Sequence, residues 1–571
     1  MTARETRIAA EQRIRGYLRG AFGADLLAAL VVSVLLIPQS LAYALLAGLP
    51  PQVGLYASLL PLLAYAAFGS SPVLGIGPIA VLALMISQAL GGVAGLAGPQ
   101  AAALVLAAEV GLLLALAGLL RLDALASLLS VPVLHGFESG AALSIALSQL
   151  PVLLGASASG SSLPKVLQSW AGAAVPWHAL TALFGVSALI ALWAARERAR
   201  PLLTRWMPLN RATMWARLLP LLVLALATVA ATFSGAGRHG VALVGTLPTL
   251  APGFNLPVLQ ASLWWALLPS ALPIALVCFV SSLVVAESLA RRRGGRVWPR
   301  RELAGLAAAN LAAAVTAGMP VGGSFSRSVL LHDAGSRTRL TGAFTALLMG
   351  LAMWLAGPAL AQLPTTVLAA TIIVAVLAVL DLKPFREAWH YDRREGALMG
   401  IVAAITVLHS VTWALAVGVT TSIALLLQRS AVPHVALIGR VPGTEHYRNI
   451  GRHEVQLTPG VMALRIDESL LFLNARLLSD VVQQQLTQFA HGHPGIRRVV
   501  LLMSPVNHID LSGLEALRSL HEGLAQQGVR LDLSEVKGPV LDALQTAGWD
   551  SWFRGQVYLS HHQAMLDPAA A

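Results

Sequence analysis

Apolar runs of about 20 residues recur from Gly23 to Gln428, separated by short polar stretches in which the charges collect. A helix of about 20 residues spans the hydrocarbon core of a bilayer, so the pattern predicts a bundle of membrane-crossing helices. The basic residues cluster at Arg4–Arg19, Arg121, Arg196–Arg217, Arg291–Arg301, Arg337–Arg339, Lys383–Arg394 and Arg429. One alternation of passes puts every cluster on the same side and leaves only Lys165 and Arg238 opposite. By the positive-inside rule the clusters are cytoplasmic, both termini are inside, and about fourteen segments fit, some too short to cross alone. Residues 1–22 are polar and basic at the start with no short apolar core, so they are expected to form a cytoplasmic extension and not a cleaved signal.

From about Gln456 the pattern changes. Short β-rich runs at 461–467, 470–474, 497–503 and 529–536 alternate with helical stretches, which predicts a small α/β domain in water over 456–565. Residues 431–455 contain Pro433, Pro442 and Gly443 and are expected to be a linker, leaving 23–430 as the membrane domain.

Composition sharpens this picture. Charged residues make up 12% of the 571 positions, half the share of about 25% in soluble proteins. A cytosolic enzyme, a disordered chain and a nucleic-acid binder are thereby excluded, although the pI is about 10.7. Residues 1–438 carry a net charge of +14 and residues 439–571 a net of −2. That asymmetry reads as membrane topology and not as a nucleic-acid footprint. The single cysteine, Cys278, allows neither a disulfide nor a cysteine-based metal site. His491 and His493, like His561 and His562, lie in polar stretches without companion ligands, so no metal is expected. Gly235–Gly240 matches a GxGxxG pattern but has no strand before it. No nucleophile–base pair or phosphate-cradling lysine loop is present, so neither an enzyme, a cofactor nor an ATP-driven pump is expected.

Two segments break the helical pattern. Gly75, Gly77 and Pro78 precede one short apolar helix, and the stretch AGMPVGGSFSRS precedes another. Irregular backbone survives in a bilayer only where protein or a cavity satisfies it, and a pair of such breaks in two halves points to a transporter's midplane site. Pro78 suits a helix's first turn, and Ser324 or Ser326 is placed to cap the other helix. Two helix N-termini meeting there make an anion site from exposed N–H groups and dipole ends. The competing reading is that these glycines only permit close helix packing.

Three blocks carry a family resemblance: PQSLAYALLAGLPPQVGLY with GSSPVLGIGP, the stretch around GMPVGGSFSRSVLLHDAG, and a tail with LLFLNARLL, NHIDLSGLEAL and GVRLDLSEV. They resemble the SulP family of anion permeases and exchangers, bacterial sulfate permease-like members included, with a C-terminal STAS domain. The resemblance implies fourteen membrane segments in two inverted seven-segment repeats, a core domain moving against a gate domain, a homodimer, and an anion site between the third and tenth segments. It places Gln39 and Tyr43, which share a helix face at i, i+4, on the anion cavity, with Gly77, Pro78, Ile79, Ser324, Phe325 and Ser326 around the anion. Ile79 and Phe325 are expected as apolar walls. Arg327 is the expected cation, since an arginine at membrane depth costs about 3 kcal/mol even on the mildest scale and needs a reason. It attracts the anion directly or through its field; the alternative is a structural ion pair with Glu287.

Glu287 is the expected coupling residue, accepting a proton as the anion binds. The competing readings are a structural partner for Arg327 and a solvated, idle carboxylate beside Arg291. Sodium-coupled relatives place an acid where this chain has Ser281 and Ser282, so proton coupling or exchange is expected over sodium coupling. Glu109 and Glu138 also lie within or near apolar runs, with no partner that the sequence fixes. Ser512 matches the phosphorylated serine of bacterial anti-sigma-factor antagonists, although Leu511 departs from their usual hydroxyl residue, and a regulatory protein on the STAS domain is one expected partner. The function these features predict is secondary active transport of a small anion (sulfate-like, bicarbonate, chloride, nitrate or dicarboxylate) across the plasma membrane, amid lipid, by symport or exchange. The alternative is an anion channel.

Overall fold

The computed structural model describes residues 16–18, 20–122, 129–156, 163–172, 177–247, 253–378, 380–492 and 495–566. Most of the expected N-terminal extension, and His493, lie outside the described residues. The chain divides into two compact units, Met1–Ser422 and Ile423–Ala571.

The first unit is helical. In order it contains α1 (Phe22–Leu46), α2 (Pro51–Tyr56), α3 (Leu60–Phe68), β1 (Gly75–Gly77), α4 (Ala80–Gly92), α5 (Pro99–Leu119), α6 (Val131–Leu154), α7 (Leu163–Gly172), α8 (Ala179–Leu203) and α9 (Leu209–Phe233). There follow α10 (Ala261–Arg292), α11 (Pro299–Val315), β2 (Gly322–Ser324), α12 (Phe325–Asp333), α13 (Leu340–Leu360), α14 (Thr365–Leu377), α15 (Lys383–Tyr391), α16 (Arg393–Leu408) and α17 (Val411–Ala431). Among the described residues eight helical segments are long and apolar enough to cross a membrane alone. One of the eight, Pro51–Phe68, joins α2 and α3; the remaining crossings are β1 with α4, β2 with α12, and the shorter apolar helices packed among them. Fourteen segments result, in two sets of seven with the same element order. Each set has a strand and short helix as its third segment, and α7 and α15 hold equivalent places between fifth and sixth segments. Counting passes brings every described basic cluster to one face.

Packing follows from small residues. Segments α1 to α5 pack with α10 to α13, and α6, α8 and α9 pack with α14 and α16. Within a bilayer such contacts rest on close backbone approach. A β-carbon on Gly136 would lie 2.5 Å from the Met399 carbonyl, and one on Gly305 2.6 Å from Gly69 Cα. Buried carboxylates at the segment ends are satisfied. Glu302 accepts from Tyr65 Oη (2.7 Å) and Ser71 N (2.9 Å), and Asp25 from the amides of Arg337 (2.6 Å) and Thr338 (3.1 Å).

The second unit is an α/β domain of β3 (Val435–Arg440), β4 (Tyr447–Asn449), β5 (Val461–Ile466), α18 (Ala475–Gly492), β6 (Arg498–Leu502), α19 (Leu511–Gln526), β7 (Arg530–Ser534), α20 (Gly538–Thr546), β8 (Val557–Tyr558) and α21 (His561–Leu566). The sheet order is β4-β3-β5-β6-β7-β8; β5 to β8 are parallel, and β3 is antiparallel to β4 and β5. Two expectations are corrected here. Residues 431–455 are not a free linker, because β3 and β4 within them complete the sheet. The run 470–474 is not a strand. It pairs only at Leu470 with Ile509, and its next amides go to side chains, Leu471 N to Asn474 Oδ1 (3.0 Å) and Phe472 N to Asp510 Oδ2 (2.7 Å).

Candidate functional site

The two breaks in the helical pattern meet. β1 and β2 pair antiparallel, with Gly75 opposite Ser324, Ile76 opposite Gly323 and Gly77 opposite Gly322. Each strand leads into a short helix, so the N-termini of α4 and α12 come together. The pairing requires glycine: a β-carbon on Gly75 would lie 2.7 Å from Arg327 Cβ, and one on Gly323 2.8 Å from Leu74 Cδ1. Gly77 has φ of +148°, where any side chain is strained. Neighbouring helices satisfy the extended backbone. Gly323 N donates to Ser282 Oγ (2.8 Å), Gly75 N to Ser328 Oγ (2.9 Å) and Val321 N to Asn310 Oδ1 (2.9 Å). Asn310 Nδ2 and Cys278 Sγ both donate to the Val321 carbonyl at 3.1 Å. Irregular backbone at membrane depth is kept in this way.

Neither short helix is capped by a side chain. This corrects the capping role expected of the serines. Ser324 and Ser326 instead face each other, Oγ to Oγ at 3.2 Å. Pro78 is also displaced from its expected place in a first turn, because Ile79, with φ −130° and ψ 147°, is the flanking residue of α4. The leading N–H groups of both helices therefore lack intrahelical and capping partners and present the positive ends of two dipoles.

They open on a cavity of about 750 Å³. Gln39 and Tyr43 of α1, Ile79 before α4, and Ser324, Phe325 and Ser326 line it together. From sequence, Pro38 is expected to break this first span, but α1 is continuous through it; the residue removes one helical N–H without ending the helix. Phe325 is 55% exposed into this space. The opposite wall comes from α6, α8, α9 and α14, and includes Glu138, Arg196 and Thr371. Most wall residues outside α1 lie in the halves of their segments nearer the basic clusters, whereas Gln39 and Tyr43 lie in the far half of α1, so the bulk of the cavity opens toward the basic face.

Arg327 is not on the cavity wall. It is 2% exposed, its Nη1 donates to the Pro78 carbonyl (2.8 Å), and its Nε and Nη2 have no partner among the described residues. A β-carbon on Gly77 would lie 3.5 Å from Nη2, so the guanidinium lies against that glycine, behind β1. Its charge reaches the cavity as a field. Glu287 is not its partner: Glu287 faces Arg291 at 3.9 Å, is 42% exposed, and is absent from the cavity wall. Gly77 and Pro78 shape the backbone beside the cavity and do not line it.

Sequence reasoning left Glu138 unplaced. Its signal was present in HGFESGAA: Gly136 and Gly140 press against Met399 and Ala403 of α16, which turns the residue between them to the opposite face. In the second unit, Ser512 is half-buried in the first turn of α19, where Asp510 caps the helix by accepting from Gly513 N (2.8 Å). His561, at the start of α21, bonds Ser534 Oγ through Nδ1 (2.8 Å), and burial pushes its pKa down to about 4. Among the described residues no group of three or more His, Cys, Asp or Glu is placed to hold a metal ion.

Comparison with known proteins bears on the family and the fold. The model of the sulfate permease family matches residues 22–431, and that of the STAS domain matches 452–564. "Sulfate transporter 4.1, chloroplastic" of Arabidopsis thaliana is 33% identical over 524 residues, 90% of this chain and 75% of that one. A "probable sulfate transporter" of Mycobacterium tuberculosis is 34% identical over 540 residues, 94% of this chain and 93% of that one. In fold, the chain is similar to the murine Slc26a9 anion transporter in an inward-facing state, with TM-score 0.85 and 22% identity over 96% of this chain and 91% of that one. The transmembrane domain of the cyanobacterial bicarbonate transporter BicA gives TM-score 0.60 and 21% identity over 69% of this chain and 97% of that one.

Proposed function

The chain belongs to the sulfate permease family, and from that premise we propose that it carries a small anion across the plasma membrane as a secondary transporter, by symport or exchange. It is a multi-pass membrane transporter and not an enzyme. The observation that carries the anion reading is the convergence of two uncapped helix N-termini on one cavity, tied together by the β1–β2 pair. Oriented N–H groups and two dipole ends stabilise negative charge without reorganisation. Ser324 and Ser326 add hydroxyl donors, Gln39 an amide and Tyr43 a phenol, while Ile79 and Phe325 exclude water from part of the anion.

The anion rests with the α1–α5 and α10–α13 set, and the remaining segments move against it to expose the cavity to either side. The basic face to which the cavity opens is the cytoplasmic one. Because relatives carry the name, sulfate is the first substrate to test, with bicarbonate, chloride, nitrate and a dicarboxylate beside it. Protons or a counter-anion drive transport in preference to sodium: Ser282 accepts from Gly323 N and donates to the Cys278 carbonyl, and among the described residues no carboxylate bonds to it. Arg327 strengthens anion binding through space, and the working form is a homodimer. Regulation acts on the α/β unit, where a phosphate on Ser512 or a bound protein changes transport rate and not affinity.

The test is uptake of labelled anions from that panel into proteoliposomes, with pH and sodium gradients imposed in turn. Saturable uptake stimulated by anion on the far side supports a carrier. Flux that never saturates marks a channel and overturns the carrier reading.

A further inference from the structure

We propose that Glu138 of α6 is the group that takes up the proton coupled to anion entry; this deepens the transporter reading above and rests on it. Among the described residues it is the only carboxylate on the cavity wall. The other membrane carboxylates are engaged elsewhere or lie off the wall. Asp25 and Glu302 accept hydrogen bonds from backbone amides and hydroxyls at the segment ends, and Glu287 faces Arg291. Glu109 has a buried oxygen without a partner but is not on the wall.

The setting of Glu138 is that of a titrating site. Its side chain is 34% exposed, so cavity water reaches it, and His135, one turn nearer the cytoplasmic face, stands 3.8 Å from its Oε2 as a relay. Of the elements packed against α6, α4 and α14 carry no titratable side chain. α16 brings Arg393, Arg394 and Glu395, and α15 brings Lys383, Arg386, Glu387 and His390, all toward the face the chain enters. α7 brings Lys165, which lies at the far end. α17 meets Val133 with Gly418 and has no charge over Val411–Ser422. From α8, Arg196 shares the wall, but its Nη1 donates to the Val374 carbonyl (3.1 Å) and its Nε faces Glu197 (3.8 Å). Across the cavity stands the Tyr43 phenol. None of these neutralises Glu138 by direct contact.

The physics of coupling follows. An anion at the helix ends and an ionised Glu138 share one cavity; a sphere of about 750 Å³ is about 11 Å across. At that separation, and an effective dielectric constant of about 20, one negative charge weakens the binding of another about tenfold, and a doubly charged anion about a hundredfold. Proton and anion binding therefore favour one another by the same factor. The proton comes from water on the open side, forms an O–H bond on Glu138, and returns to water on the other side once the cavity reopens there. Because α6 belongs to the moving set, closure brings the carboxyl toward the anion, and only the neutral acid permits it.

The experiment uses full-length protein in proteoliposomes with labelled sulfate, or whichever panel anion wild type accumulates. Wild-type initial uptake is expected to rise about tenfold or more as the outer pH falls from 8 to 5.5, and Glu287→Gln is expected to keep that profile. Glu138→Gln should be flat within twofold over the range and should not accumulate substrate under an inward proton gradient. Glu138→Asp should retain a slope with a displaced midpoint. A Glu138→Gln profile like that of wild type overturns the inference, as does a flat Glu287→Gln profile beside a sloping Glu138→Gln one. If the Gln variant does not assemble, an undisplaced Asp profile overturns it. Wild-type uptake that ignores pH overturns the role of Glu138 but leaves the transporter reading standing; that reading falls if no anion of the panel is bound or carried, or if its flux never saturates.

Discussion

Replacing Arg327 by alanine is expected to weaken anion binding by an amount that depends on the anion's charge. The guanidinium donates to the Pro78 carbonyl at 2.8 Å, and Pro78 precedes Ala80, the first residue of α4, by two positions. Two residues span at most about 7 Å, so the charge lies within about 10 Å of the N–H groups that face the anion. At that distance, and an effective dielectric constant of about 20, one elementary charge contributes about 1.7 kcal/mol, or nearly 20-fold in affinity. A divalent anion feels about 3.3 kcal/mol, or a few hundredfold. Lysine keeps the charge but not the flat guanidinium that lies against Gly77, so Arg327→Lys should recover most of the affinity while losing some stability. Arg327→Gln should behave as alanine does in binding with less disturbance of packing. Calorimetric titration of the purified protein with sulfate and chloride measures both slopes. Equal losses for lysine and alanine would show that packing, not charge, is what Arg327 supplies. An unchanged dissociation constant in a well-folded alanine variant would refute the field argument outright.

Gly77→Ala should destabilise the protein by about 1–3 kcal/mol, because φ of +148° is closed to other residues, and should abolish uptake by tilting β1; thermal unfolding and proteoliposome flux read the two effects. Ending the chain after Ala431 should leave anion affinity within about twofold, since every cavity residue lies before Leu382, whereas transport rate or assembly should suffer; binding and flux measured on the same preparation separate them. Stability of the α/β unit should depend on pH through His561. Burial lowers its folded pKa from 6.5 to about 4, with Arg498 and His562 adding to that and Glu535 opposing it. The unfolded chain therefore binds the proton first, so the stabilisation is full above about pH 6.5 and is lost as the pH falls toward 4. The loss amounts to about 3 kcal/mol. Hydrogen exchange of α/β-unit peptides in the full chain should follow that curve, and His561→Gln should flatten it.

Much of the architecture was legible in the sequence because membrane helices declare themselves by length and charge by side. The two breaks were legible too, since glycine and proline at Gly75, Gly77, Pro78, Gly322 and Gly323 announce extended backbone. Directions of side chains were not. Arg327 follows Phe325 and Ser326, which face the cavity, yet one further residue turns its side chain behind β1. Pattern alone does not say which face of a nine-residue helix meets water when every other surface is apolar. Glu287 lay on a helix correctly identified but on a face that meets Arg291 and not the cavity. In the tail, 470–474 had the composition of a strand, and the competition of Asn474 and Asp510 for its amides decided otherwise. β3 and β4 were hidden by the prolines and glycine between and around them, which read as a linker although the strands they flank are paired.

The antiparallel β1–β2 pair has a consequence for the direction of transport. Turning the membrane over exchanges β1 with β2 and α4 with α12, and returns the same arrangement. The backbone and its two helix dipoles therefore favour neither side, while Ser324, Ser326 and Arg327 belong to the second repeat alone. Any bias in time's arrow must come from a group without a counterpart in the other repeat. α6 and α14 are such counterparts, fifth segments of their sets, and α14 bears no ionisable residue opposite Glu138. If Glu138 couples the proton, a backbone frame common to both repeats is set in its direction by a carboxyl that only one repeat carries, and moving that residue to α14 tests whether the sensed gradient moves with it.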